Sequence, residues 1–185
     1  MARTKIRAIV LCEDRAQEHF VRKLCEELGH RPVRVVVAPQ GRGSAEQWVR
    51  KHYPDEIKKL RGHGDELVGL VAMTDGDRFG VTERKQDLGA ALTETGLEAR
   101  KDDERIAICV PTWSIETWFA WLCGLERVDE ATKYKHDAGF KAAQRRRDVS
   151  PRRAAEAWLK GPREGEAQHV ASLDDGRREM QRLAT

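Results

Sequence analysis

Aromatic residues make up only 6% of this 185-residue chain, and its four cysteines include no CxxC pair. Cys12, Cys25, Cys109 and Cys123 lie far apart, which argues against a zinc site of cysteine pairs and against a disulfide framework. The first three sit in apolar runs, where a free thiol behaves as a small hydrophobe. No apolar stretch approaches the roughly 18 residues of a membrane helix, and MARTKIRAIVLCE holds too short an apolar run for a secretory signal. A soluble, cytoplasmic protein is expected. Net charge is scarce as well: 34 basic residues against 31 acidic ones leave +3. The sum therefore does not identify a nucleic-acid binder, and the distribution of charge has to be read instead. GRGS at 41–44 fits neither a Walker loop nor a GxGxxG turn, so a glycine-rich nucleotide cradle has little support.

What is present is an alternation of short apolar runs with amphipathic segments. Residues 6–12 (IRAIVLC), 33–38 (VRVVVA), 67–73 (LVGLVAM) and 105–110 (RIAICV) read as strands covered on both faces. Between the first two, Phe20, Val21, Leu24, Cys25 and Leu28 trace a helical stripe that Gly29 is placed to end. Ser44 is positioned to cap a helix through Trp48 toward Tyr53, which Pro54 is expected to interrupt before the charged stretch to Arg61; GHGD at 62–65 reads as a loop. A polar helix is expected from about Thr82 to Thr95. Such alternation predicts right-handed β-α-β units and a mostly parallel α/β sheet of about four strands. After Pro111 the character turns helical, with Ile115, Trp118, Phe119 and Leu122 on one apolar face. The chain thus divides into an α/β core over 1–125 and a helical, basic extension over 126–185 packed on it. In the extension, short helices are expected near 154–159 and 173–184 with a loop at 161–168, while 126–153 gives no clear element ends.

Ligand sites in parallel sheets form at the carboxyl ends of the strands. Glu13 follows the first strand directly, and Asp75 and Asp77 follow the third. If those strands are neighbours, three carboxylates converge, and a divalent cation is the simplest way to make the cluster tolerable. Oxygen-only ligands suit Mg²⁺ or Mn²⁺. Taken singly, each acid has an ordinary reading: Asp-Gly is common turn chemistry, and an acid at a helix start answers the dipole. An EF-hand is excluded by Phe79 and Gln86 at liganding positions and by the preceding strand.

The segments LCEDRAQEHFVRKL, PQGRGS and VAMTDGDRFG, with PTWSIETWFAW and SLDDGRREMQRL downstream, together resemble Toprim domains. The likeness is greatest to small stand-alone Toprims related to OLD-family and RloB-like nucleases, and it covers most of the chain. The resemblance implies a Rossmann-like Toprim fold and metal-dependent phosphodiester hydrolysis of DNA or RNA by an Mg²⁺- or Mn²⁺-dependent endonuclease. It also implies a setting in anti-phage defence beside a separate ABC- or SMC-like ATPase. Glu13, Asp75 and Asp77 would then be the catalytic metal ligands, Glu13 serving either as ligand or as general base. OLD-type relatives often carry a second acid four residues after the first, where this chain has Gln17. That departure favours one metal over two. It also keeps open a non-catalytic interaction module docking on an ATPase partner. A topoisomerase, which needs a tyrosine nucleophile and clamp domains, is improbable in a chain of this size with only Tyr53 and Tyr134.

Further candidates follow from position. Glu116, just after the fourth strand, is either an additional active-site acid or a dipole-answering residue in the first turn of its helix. Trp118 belongs to the apolar stripe and is expected in the core, whereas Trp113 and Trp121 lie off it and remain open for base stacking. Lys141, Arg145, Arg146, Arg147, Arg152 and Arg153 stand against a single acid, Asp148. They read as a phosphate-backbone contact surface or as an ordinary solvated face. Arg78, beside the DxD element, is placed to reach a phosphate.

Overall fold

Arg7–Cys12 forms strand β1 and is followed by helix α1 (Arg15–Glu27), β2 (Val33–Val37), α2 (Ala45–Gly62), β3 (Val68–Met73), α3 (Gly80–Glu94) and β4 (Ile106–Cys109) in a computed structural model of the chain. The structure describes residues 5–31, 33–41, 43–63, 67–161 and 170–184. All four strands are parallel, in the order β2-β1-β3-β4, so the two strands that end in the acidic motifs are direct neighbours. Successive side chains of a strand point to opposite faces. Ala8, Val10, Cys12, Val71, Met73, Ala107 and Cys109 therefore enter one core, while Ile9, Leu11, Leu70, Ala72, Ile106 and Ile108 enter the other. Helices cover both faces of this Rossmann-like α/β sheet, which is why its strands are apolar on both sides.

Helix α2 departs from the sequence expectation. It runs unbroken through Pro54 to Gly62, although proline removes a helical hydrogen bond and costs about 3 kcal/mol in a helix interior. Pro54 is buried, and Val49, Tyr53 and Ile57 are buried in the packing between this helix and the sheet, where burying side chains of this size contributes roughly 1.5–3 kcal/mol each. Burial outweighs the break. The loop expected at 62–65 starts only after Gly62, and positions 64–66 lie outside the described residues.

Beyond β4 come α4 (Ile115–Leu122), a 3-10 turn (Tyr134–His136), α5 (Ala138–Arg145), α6 (Pro151–Lys160), α7 (Ala171–Gln181) and a terminal 3-10 turn (Arg182–Ala184). Of the loop expected at 161–168, positions from 162 onward lie outside the described residues. Helix α5 starts at an Asp137 cap, whose side chain accepts from the Phe140 N–H, and α6 starts at Ser150 followed by Pro151. Phe140, Val149, Ala154, Ala155, Trp158, Val170 and Leu173 share one core with Phe20, Trp118 and Phe119. Phe20, Trp118 and Trp158 meet pairwise with ring centroids 5.5–6.3 Å apart. Trp118 is buried, as its stripe position implied. All four cysteines are free. Among the described residues, no helix is long and apolar enough to cross a membrane.

Helix α7 covers the outer edge of β4. An edge strand exposes unpaired backbone groups, and here side chains occupy two of them. Glu179 accepts from the Ile108 N–H at 3.0 Å, and Arg100 donates to the Ile106 carbonyl at 3.0 Å. Glu179 is further paired with Arg100 and with Lys85. Burial raises its pKa, but these hydrogen bonds outweigh that effect and hold the carboxyl at about 2.

Candidate acidic site and adjoining cleft

The adjacency of β1 and β3 brings Glu13 and Asp75 together. Glu13 Oε1 accepts from the Asp75 backbone N–H at 2.7 Å and from the Thr74 hydroxyl. Asp75 is 5% exposed, and its Oδ1 accepts from Gln17 Nε2 at 2.7 Å and from the Ile115 N–H at 3.1 Å. One acid thus reaches across the strand ends, and the other is held by the starts of α1 and α4. Gln17 is fully buried and bridges both acids, because its Oε1 accepts from the Glu13 N–H at 2.9 Å. Asp14 caps α1 by accepting from the Gln17 N–H, which fixes the first turn carrying that amide. Glu18 pairs with Arg15 instead.

Asp77 differs from Asp75 in its exposure. It is exposed, adopts φ 47°, and pairs with Arg84 at 3.4 Å. Its N–H bonds the Trp113 carbonyl at 2.9 Å, and the Gly76 N–H bonds the Pro111 carbonyl at 2.9 Å, so the DGD loop is zipped to the chain leaving β4. Trp113, the partner in this bridge, also has a positive φ of 60°. Arg84 is buried and engaged by Glu46, Asp77, Asp87 and the Asp75 carbonyl, so it serves the scaffold.

The electrostatics single out the inner acids. Asp75 has its pKa raised well above the ordinary carboxylate value, by burial first and then by Glu13, Glu116 and Asp14, with Lys135 opposing. Glu13 is raised by burial, against the hydrogen bonds from Thr74 and the Asp75 N–H, with Asp77 and Asp14 adding to the rise. Partial desolvation lowers the Lys135 pKa, but Glu116, Asp75, Asp14 and Glu13 outweigh it and raise the value. Glu116 Oε2 is buried and has no hydrogen-bond partner among the described residues. Glu116 stands in the first turn of α4, where it answers the helix dipole, and it also acts electrostatically on Asp75. Cys12, immediately before Glu13, has its thiol pushed up to about 12, chiefly by burial, and offers no nucleophile at neutral pH.

A buried acid and a half-buried one, both penalised for their charge, with an unsatisfied carboxylate oxygen nearby, form a donor set that a hard divalent cation fits. No three His, Cys, Asp or Glu side chains among the described residues lie in a metal-holding arrangement. Glu13 and Asp75 are joined directly by a hydrogen bond, and Asp77, exposed on the same loop, acts on Glu13 electrostatically. Mg²⁺ commonly binds one or two carboxylates and completes its shell with water and substrate phosphate, so a preformed protein cage is not required.

Beside the acids opens a cleft of about 440 Å³, lined by Asp77, Arg78, Phe79, Trp113, Ser114 and Lys135 together with Ser44, Glu46, Arg84, Lys133 and His136. Lys133 Nζ lies 4.1 Å from the centre of the Trp113 ring, and the Arg78 guanidinium 4.7 Å from that of Phe79. Lys133, Lys135 and His136 escaped the sequence reading because no strand or helix period marks their segment; the Asp137 cap that follows was the available signal. The basic tract Lys141, Arg145, Arg146, Arg147, Arg152 and Arg153 is exposed, running from α5 into α6. Within it Arg146 pairs with Asp148, Arg152 with Glu156, and Arg153 donates to the Arg147 carbonyl. Trp121 is half-buried against the core. In comparisons with known proteins, no family model, curated protein or solved structure matches the chain.

Proposed function

We propose that the chain is a metal-dependent phosphodiesterase acting on nucleic acid, as its Toprim-like motifs imply. The observation that carries this reading is the meeting of Glu13 and Asp75 across neighbouring strand ends, in a site that disfavours their charges. Strongly perturbed, clustered carboxylates at a strand-end cleft are the pattern of a working site. Glu13 and Asp75 would hold Mg²⁺ or Mn²⁺, with Asp77, which acts electrostatically on Glu13, and Glu116, which acts on Asp75, as further acids; Asp77 is also paired with Arg84 at the rim. Such an ion, when bound, neutralises phosphate charge and stabilises the developing oxyanion. Lys135 supplies fixed positive charge beside the acids, where it attracts a phosphodiester and offsets their repulsion. Glu13 accepts two hydrogen bonds on Oε1, which orients the carboxylate for liganding or for taking a proton from water.

The test is cleavage of labelled DNA and RNA by the purified chain with Mg²⁺ or Mn²⁺, compared with Asp75→Asn and Glu13→Gln. The Asp75→Asn amide oxygen can still accept from Gln17 and the Ile115 N–H, so the scaffold should survive while the rate falls on the order of 100-fold or more. Absence of cutting by the unaltered chain under every condition would sink the proposal.

A second reading, a non-catalytic module docking on an ABC- or SMC-like ATPase, is favoured by one observation. Gln17 already satisfies Asp75 and bridges it to Glu13 without any cation. The two readings part on metal binding. The phosphodiesterase should gain melting temperature with Mn²⁺, a gain lost in Asp75→Asn, whereas the docking module should show none.

A further inference from the structure

We infer that the cleft beside the acids is a subsite for one unpaired nucleotide, so that the substrate is single-stranded DNA or RNA, or a frayed end, rather than intact duplex. The inference rests on the phosphodiesterase reading and adds what that reading leaves open. Three independent observations carry it. First, the cleft has two aromatic rings on its wall, Trp113 and an exposed Phe79 (39%), and cations are layered on both. An aromatic face with a guanidinium or ammonium beside it is the combination that holds a splayed base and its phosphate. Bases inside a duplex are stacked on both sides and present no free face to such a ring. Second, Ser114 lines the cleft, is 4% exposed, and its Oγ has no hydrogen-bond partner among the described residues. A buried hydroxyl left unsatisfied costs free energy that a ligand's polar atom would recover. Third, the backbone is strained at the cleft: Trp113, a bulky residue, is held at φ 60° by its bridge to Asp77 at φ 47°. Strain of this kind persists only where the surroundings enforce it, and it fixes where the indole is presented.

The dimensions agree. A volume of about 440 Å³ lies in the range of small-molecule pockets and accommodates one nucleotide. Lys135, electrostatically coupled to Glu13, Asp75 and Glu116, links the cleft to the acids. A strand entering here would lay its phosphate between Lys135 and the acid pair while its base meets Trp113 or Phe79.

The experiment is fluorescence anisotropy on the full chain in EDTA, so that no hydrolysis intervenes. The probes are short end-labelled unstructured oligodeoxynucleotides, the matching oligoribonucleotides, and a duplex of equal length. Single strands are expected to bind about tenfold or more tighter than duplex, and the deoxy and ribo arms identify which sugar is preferred. Phe79→Ala and Trp113→Ala should each weaken single-strand binding by roughly 5- to 100-fold, the range of one lost base stack, with Trp113→Phe retaining most of it. Phe79 is exposed, so its variant reads the subsite even if loss of Trp113 disturbs the fold. Equal affinity for single strand and duplex, or full binding by Phe79→Ala and by folded Trp113→Ala, overturns the inference. A cleavage arm with Mn²⁺ separates the two claims. Selective single-strand binding without cutting defeats the phosphodiesterase and leaves the subsite. Cutting that ignores strandedness and both aromatic variants defeats the subsite and leaves the phosphodiesterase.

Discussion

Between the two acids of the DGD triplet there is no room for a side chain. A Cβ on Gly76 would stand 2.9 Å from the Pro111 carbonyl oxygen and 3.3 Å from the Gly80 Cα, all backbone. Gly76→Ala should therefore push the DGD loop off the chain leaving β4 and cost roughly 1–3 kcal/mol, measurable as a lowered urea midpoint. This glycine is easily mistaken for a simple turn residue, since its closest constraint is a backbone carbonyl just past β4, dozens of positions away. Asp75 makes a complementary case. Its charge is penalised by burial and by neighbouring acids, so Asp75→Asn should stabilise the metal-free chain by roughly 1 kcal/mol, about 2–4 °C in Tm. Scanning calorimetry in EDTA checks this, and a drop in Tm would contradict it. Gln17→Glu inverts the logic. A third carboxylate facing Asp75 should lower stability in EDTA and enlarge the Mn²⁺-induced rise in Tm.

At the scale of elements, the apolar runs announced β1 to β4, because doubly covered strands leave a nearly continuous apolar signature, and their alternation with helices announced a parallel sheet. Adjacency of β1 and β3 was a conditional expectation, and the sheet order meets the condition. Sequence could not show that Asp77 turns to Arg84, since that depends on a bridge to Trp113 more than thirty residues on. Nor could local propensity foresee α2 continuing through Pro54, where tertiary burial decides. The seam between α7 and β4 carries its own prediction. Glu179 is held at about 2, below the roughly 4.3 of an unfolded glutamate. A depressed carboxylate contributes stability that is fully present above the unfolded value and lost as pH falls from about 4 toward 2. Its contribution at neutral pH is about 3 kcal/mol by that difference. Glu179→Gln should lose much of it at pH 7 and flatten the decline in urea midpoint on acidification. Titrating that midpoint for both proteins checks the sign.

Across the whole molecule, the C-terminal helices are part of the core. Phe20 and Trp118 close against Trp158, and Gly176 of α7 passes so near Trp118 that a Cβ would lie 2.5 Å from the ring. A chain ending at residue 125 would leave these rings in water and should show no cooperative unfolding by circular dichroism. The outward basic tract acts over a longer range. If it follows a phosphate backbone, replacing Lys141, Arg145 and Arg152 by alanine should weaken binding across sequences and reduce the salt slope by about one per contact removed. An unchanged slope would leave the tract as a solvated face.

The placement of the tryptophans gives the protein a built-in optical readout. Trp118 and Trp158 are packed together in the core, whereas Trp113 is half-buried at the cleft mouth under Lys133. A red shift of emission would therefore follow exposure of the buried pair on denaturation. Quenching without a red shift that disappears in Trp113→Phe, which leaves the half-buried Trp48 and Trp121 in place, would report an occupant arriving beside Trp113, so the same spectrum can follow global melting and local engagement as separate signals.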